Sequence, residues 1–135
     1  MRNTGNPNQW GPEYPGVTLL LEDIRKGNLY VILENETPRG CFVLAEGEDP
    51  TYAVIEDGAW SQEEHYGTIH RLAGNGGGIF RACIAFCKEK CDYLRVDTHK
   101  DNRIMLGLLE EAGFSRCGKI YVADGTERIA FDYKI

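Results

Sequence analysis

The sequence predicts a mixed α/β fold, an α+β arrangement around one mixed sheet, and three observations carry that expectation. Short β-rich runs recur at 29–33, 40–45, 51–55, 66–73, 93–96, 114–122 and 129–133. Two segments, one opening at Ile79 and one at Arg103, space their apolar residues along one helical face. Between the run at 66–73 and the first of these helices stand four glycines in five residues, Gly74-Asn75-Gly76-Gly77-Gly78.

Taken in order, residues 1–16 are rich in Asn, Pro and Gly and read as a loop or irregular cap. Residues 17–27 read as a helix with Leu20, Leu21 and Ile24 on its apolar face and Gly27 as its stop. The runs at 29–33 and 40–45 form a hairpin around a polar turn over 34–39, and 51–55 is a third strand. Asp57-Gly58 and Gln62-Glu63-Glu64 mark exposed loop. The strand at 66–73 then feeds the glycine run and a helix carrying Cys83, Ile84, Phe86 and Cys87. A strand at 93–96 leads to a helix over 103–112, closed by Gly113, with Asp101 or Asn102 as its N-cap. The last two strands turn at Asp124-Gly125. No repeat or linker divides the 135 residues, so one domain over 1–135 is expected.

Composition bounds the function classes. A net charge of −6 argues against a general nucleic-acid binder, which needs a basic face. The longest apolar runs, such as 41–45, are too short to span a bilayer, and no apolar segment follows the first residues. Five cysteines without a secretory signal fit reduced thiols and a cytoplasmic location. Cys83, Cys87 and Cys91 recur every four residues; a soft-metal site normally uses a tighter pair, so the stripe reads as helix packing. Asp97, His99 and Asp101 alternate like metal ligands, yet they also suit a strand end and a helix cap, and no metal is expected.

Strand, glycines and helix start together suit a phosphate or pyrophosphate, because glycines admit close backbone approach and the first helical N–H groups lack internal partners. A Walker A loop would need Gly-Lys followed by Ser or Thr, whereas Gly78 is followed by Ile79 and Phe80. A dinucleotide fingerprint would need a third glycine at its own spacing, within a parallel unit. Neither fits.

The stretch Ile69-His70-Arg71-Leu72-Ala73 with its glycine loop and helix resembles the fourth strand and acetyl-CoA loop of GNAT N-acetyltransferases. Residues 95–102, followed by Met105, Leu108, Leu109, Gly113 and Phe114, are similar to that superfamily's strand, Asn, helix, Gly-Phe segment. The closing stretch from Cys117 to Ala130 is similar to a bacterial branch of it. The resemblance implies a sheet split beside the strand at 66–73, with the pantetheine arm of acetyl-CoA pairing with the backbone of Leu72 and Ala73. It implies a pyrophosphate on the loop Gly76, Gly77, Gly78, Ile79 and Phe80, and a cofactor contact from Asn102. It also implies transfer of an acetyl group to a primary amine of a small molecule or protein.

Three departures accompany the resemblance. The loop is short and lacks the basic residue usual at its start, and Phe80 takes a place that is usually small. Leu109 stands where the family carries the tyrosine that protonates the leaving thiolate, which leaves Tyr121 or solvent for that task. By the resemblance, the family's first strand and helix are expected to be absent from this sequence, and an open sheet edge completed in a homodimer is expected with that absence. His70 suits a general base, since imidazole titrates near neutrality, and equally suits a packed, hydrogen-bonded strand histidine. The resemblance makes Glu46, Tyr52 and Glu56 further candidates facing the split, while Trp10, Tyr14 and Trp60 suit an acceptor pocket or plain core packing. The rival readings are a GNAT-like domain that binds acyl-CoA without transfer, and a structural dimerisation domain.

Overall fold

The computed structural model describes residues 17–74 and 78–135, with side chains from Leu21 onward; Trp10, Tyr14, Gly76 and Gly77 lie outside them. Helix α1 (Val17–Arg25) ends at Gly27, whose φ of +73° is the left-handed stop expected of a glycine there. Strands β1 (Leu29–Glu34) and β2 (Thr37–Glu46) form an antiparallel hairpin. The polar turn is shorter than predicted. Asn35 and Glu36 alone make it, both at positive φ (52° and 67°), a two-residue turn whose twist matches the flanking strands. Thr37, Pro38 and Arg39 therefore belong to β2, and Pro38 is admitted at a register shift opposite Leu33.

The strand predicted at 51–55 is absent; Pro50–Tyr52 is a short 3-10 turn. Asp49 caps it by accepting the Thr51 N–H at 2.9 Å, and Pro50 supplies a preset φ at its first position. The remaining elements match the sequence reading within a residue or two: β3 (Gly67–Gly74), α2 (Ile79–Lys90), β4 (Tyr93–Thr98), α3 (Arg103–Glu111), β5 (Ser115–Tyr121) and β6 (Glu127–Lys134).

The strands lie in the order β1-β2-β3-β4-β6-β5, antiparallel throughout except for β3 beside β4. One face packs on α2 and α3 through Phe42, Leu44, Ile69, Ile84, Leu94, Val96, Leu109 and Phe131. Cys83 and Cys87 are fully buried and Cys91 nearly so, which places the cysteine stripe in that core. The opposite face is covered by the 47–66 connection, whose Tyr52, Trp60 and Tyr66 gather against Tyr93 and Ile120. Buried Arg95 threads this cluster. Its guanidinium lies 4.2 Å from the Trp60 ring and 4.1 Å from the Tyr66 ring, and donates to the Gln62 carbonyl at 2.8 Å. Asp132 closes the network by accepting from Ser61 N, Ser61 Oγ and Tyr93 OH at 2.6–2.8 Å. No helix among the described residues is long and apolar enough to cross a membrane.

Candidate active site at the split of the sheet

The parallel pair β3·β4 is where the sheet opens. These strands pair only at Gly67–Leu94 and Thr68–Arg95, whereas β4 stays paired with β6 from Tyr93 to Thr98. Beyond Thr68, β3 diverges from β4, as the predicted split beside this strand requires.

The cause lies partly in a bulge. From Val43 to Cys41, β2 advances two residues while its partners on β3, His70 and Ala73, are three apart. The extra residue sits at Arg71–Leu72, where Arg71 takes a φ of +53°. Strand alternation flips there, so Ile69 and Leu72, three apart, both pack toward the helices. A non-glycine residue at positive φ needs an anchor to hold it. Arg71 has one: its guanidinium donates Nε–H and Nη2–H to the two carboxylate oxygens of Asp23 on α1, at 2.8 and 2.9 Å. Both side chains are largely buried.

At the far end of β3 the chain enters α2. Gly78, at φ +94°, is the N-cap and has no side chain to cap the first N–H groups of α2 at Ile79, Phe80 and Arg81. Gly74 is required for another reason. It faces Gly40 on β2, and a Cβ on Gly74 would stand 2.9 Å from the Arg39 carbonyl and from Ile79 Cγ2, and 3.0 Å from Gly40 Cα. That glycine serves the close approach of two backbones. Phe80 packs its ring against the core beside α2.

His70 precedes the bulge and points to the face opposite the helices. Its Nε2 lies 3.2 Å from Asp49 Oδ2. Across the split, on β4, Asp97 Oδ2 accepts a 2.6 Å hydrogen bond from the buried Tyr52 phenol. The hydrogen bond to His70 leads in holding the Asp49 carboxyl below its ordinary value; burial opposes it, and the bonds from Thr51 assist. Burial pushes Asp97 up, against the Tyr52 hydrogen bond and the nearby His70 and Arg128. Burial likewise drives the Tyr52 phenol well above its usual range, reinforced by Asp97. Two carboxyls flank the imidazole, and their surroundings push them in opposite directions.

The structure thus brings together many of the predicted residues. His70, Leu72 and Ala73 line the diverging stretch of β3, Gly78, Ile79 and Phe80 open α2, and Asn102 caps α3 just past the end of β4. Asn102 Oδ1 accepts from Met105 N at 3.2 Å, the capping role its position suggests. Gly76 and Gly77 fall outside the described residues. Tyr121 is not brought to the split. It lies on edge strand β5, separated from β4 by β6, and its hydroxyl donates to Glu56 at 3.0 Å. Glu56, held there with its backbone bridged to Lys119, is likewise away from the split, and Glu46 pairs with His65 at the surface. Trp60 is core, with its indole N–H donating to the Tyr52 carbonyl. Leu109 is fully buried. No group of three or more potential metal ligands gathers among the described residues; His99 Nδ1 instead accepts the Asp101 N–H at 3.0 Å.

Asp49 and the Arg71 bulge escaped sequence reasoning. Their partners lie 21 and 48 residues away, beyond any local pattern.

This arrangement, a mixed sheet splayed between its two parallel strands with a helix opening from the strand that diverges, is the GNAT acyl-CoA N-acyltransferase fold. No family model matches the chain, and no curated protein matches it in sequence. Solved structures do. A GNAT-family acetyltransferase from Streptococcus agalactiae 2603 superposes with a TM-score of 0.78 at 26% identity, covering 90% of this chain and 73% of that one. The ribosomal-protein-alanine N-acetyltransferase of Brucella melitensis gives 0.62 at 17% identity, covering 99% and 86%. The N-acetyltransferase YlbP of Bacillus subtilis, solved with coenzyme A, gives 0.59 at 13% identity, covering 87% and 80%.

Proposed function

We propose that this chain is an acetyl-CoA-dependent N-acetyltransferase acting on a primary amine of a small molecule or protein. The observation that carries the reading is the divergence of β3 from β4 beyond Thr68, beside an α2 N-terminus with no side-chain cap. The residues present fit the cosubstrate. The freed edge of β3 at Leu72 and Ala73 offers backbone groups to the amides of a pantetheine arm. The N–H groups at the start of α2, from Gly78 to Phe80, and the glycines Gly76 and Gly77 before them in sequence suit a pyrophosphate. Asn102, which caps α3 past the end of β4, is the side chain assigned to the same arm in this reading. Thr68 and Thr98, on the two strands flanking the split, carry buried hydroxyls without a partner in the described structure.

The bound thioester supplies the acetyl group. In the overall reaction the amine nitrogen bonds to the acetyl carbon, the carbon–sulfur bond breaks, and the amine loses a proton. His70 is the base in this reading: it is partly exposed at the split and hydrogen-bonded from behind by Asp49. With Leu109 aliphatic and Tyr121 on the far edge, the departing thiolate takes its proton from solvent.

A second reading, an acyl-CoA-binding domain without transfer, is favoured by one observation, the buried Leu109 where the family carries a phenol. Two measurements separate them. Acetyl-CoA at about 100 times its Kd stabilises a binding protein by about 2.7 kcal/mol, which raises Tm by several degrees. CoA release is then followed with spermine, free lysine and peptides bearing Ala or Ser N-termini. A shift with release supports the transferase, and a shift with no release from any amine supports the binding domain. No shift with acetyl-CoA or CoA sinks both.

A further inference from the structure

His70 and Asp49 meet in a way that surface ion pairs do not. Asp49 is fixed at three points. Its backbone N–H donates to Tyr66 OH at 2.7 Å, its Oδ1 accepts the Thr51 N–H at 2.9 Å, and its Oδ2 faces His70 Nε2 at 3.2 Å. Tyr66 is buried in the aromatic cluster on this face, so the carboxylate is seated on packed structure. About a fifth of the Asp49 side chain and a quarter of the His70 side chain remain exposed.

The two carboxylate oxygens do different work, and that division fixes a proton. A carboxylate accepts and cannot donate, so the contact is a hydrogen bond when Nε2 carries the hydrogen. Nδ1 of neutral His70 is then the unprotonated nitrogen. We propose that Asp49 is the positioning residue of this site, holding His70 as the Nε2–H tautomer so that Nδ1 receives the proton of the acceptor amine. This rests on the reading of His70 as the base. Other groups also face the imidazole. Asp97 of β4, bonded to Tyr52 of the 3-10 turn, feels the charges of His70 and of Arg128 on β6; the neighbour on β2, Val43, does not titrate. Asp97 has its own donor in the Tyr52 phenol, which leaves the tautomer to Asp49.

Asp49→Asn is a discriminating variant because the cap decides which way the amide turns. Thr51 N–H needs an acceptor, so the Asn carbonyl oxygen takes the place of Oδ1 and the turn keeps its cap. The amide NH2 then faces Nε2 and donates to it. Nε2 becomes an acceptor, the ring proton moves to Nδ1, and the proposed base is blocked without loss of volume.

The experiment is two-bond 15N–1H correlation of the imidazoles in wild type and D49N at a pH where they are neutral, with His70→Gln to assign the signal. The expected result is the Nε2–H tautomer in wild type and Nδ1–H in D49N, with Tm within a few degrees. Turnover is followed with the amine that releases CoA fastest. In D49N kcat is expected to fall about 100-fold, the scale of general-base catalysis, while KM for acetyl-CoA changes little. An Nδ1–H tautomer in wild type, or an unchanged tautomer in D49N, overturns the proposal. So does a D49N enzyme with wild-type kcat when H70Q is slow. If H70Q keeps wild-type kcat, or no amine releases CoA, the reading of His70 as base fails and the positioning role falls with it, whatever the tautomer.

Discussion

The Tyr52 hydroxyl donates to Asp97 Oδ2 at 2.6 Å, joining the 3-10 turn to the strand on the far side of the split from His70. The two residues are 45 apart in sequence, with Tyr52 buried and Asp97 half-buried on the face opposite the helices. The pair ties the 47–66 connection to β4, so the side chains at the mouth of the split depend on a contact between distant segments.

That contact has a pH signature. Asp97 titrates above its ordinary value of 3.8 because burial disfavours its charged form. The folded state then holds the proton more tightly than the unfolded chain, so its contribution to stability is complete below 3.8 and declines as pH rises through the folded value. Asp97→Asn keeps an acceptor for the phenol and removes the titration. The Tm difference between D97N and wild type is therefore expected to be more positive at pH 7 than at pH 3.5. A difference independent of pH would show that Asp97 carries no such linkage. Tyr52→Phe instead strips a half-buried carboxyl of its donor and is expected to cost about 1–3 kcal/mol in urea unfolding.

Arg71 and Asp23 give a second prediction. Asp23→Ala leaves a largely buried guanidinium without its carboxylate, a loss on the order of 3 kcal/mol. The same pair anchors the positive φ of Arg71, so the bulge loosens with it. Acetyl-CoA affinity, measured by calorimetry on protein that is still folded at 15 °C, should therefore fall along with stability. Unchanged affinity in a destabilised variant would separate the bulge from the binding site.

These residues also mark where sequence reasoning succeeds and stops. The helices at 79–90 and 103–111 are legible because apolar spacing and caps such as Asn102 are local. The place of the split came from the resemblance around Ile69–Ala73, and the glycines alone would not have located it. The strand expected at 51–55 failed although a signal stood before it: Asp49-Pro50-Thr51 is a cap, a fixed φ and a capped N–H. Tyr52 read as a strand residue because aromatic side chains fit strands, and the tertiary pull of Asp97 is invisible in a window of that length. Tyr121 attracted notice as a phenol, but the strand order places β5 two positions from the split. Strand order is a property of the whole sheet.

The cysteines make a chemical prediction. A hydrogen bond with Cys87, then burial, drives the Cys83 thiol up, and burial leads in raising Cys91 to about 11 and Cys117 to about 12. Cys41, only partly buried, is also raised by burial. Native protein at pH 8 is therefore expected to react slowly with Ellman's reagent, with Cys41 modified first and the others released only by denaturant. Fast native labelling of Cys83 or Cys87 would contradict their burial in the core.

Two glycines at the entrance to α2 should respond differently to the same substitution. Gly40→Ala would bring a methyl group to 2.5 Å from the Ala73 carbonyl, a contact that only a shift of β2 against β3 relieves. The expected cost is about 1–3 kcal/mol, and the protein should lose stability with or without ligand. Gly78→Ala meets no atom of the described residues within 4 Å, but it places alanine at φ +94° at the N-cap of α2. The strain is about 1–2 kcal/mol, and the backbone can relieve it by turning the first N–H groups of the helix. If those groups hold the pyrophosphate, G78A loses more affinity for CoA than for pantetheine, which lacks it. Equal losses for both ligands, measured by calorimetry, would remove the helix start from the binding site while leaving the split of the sheet in place.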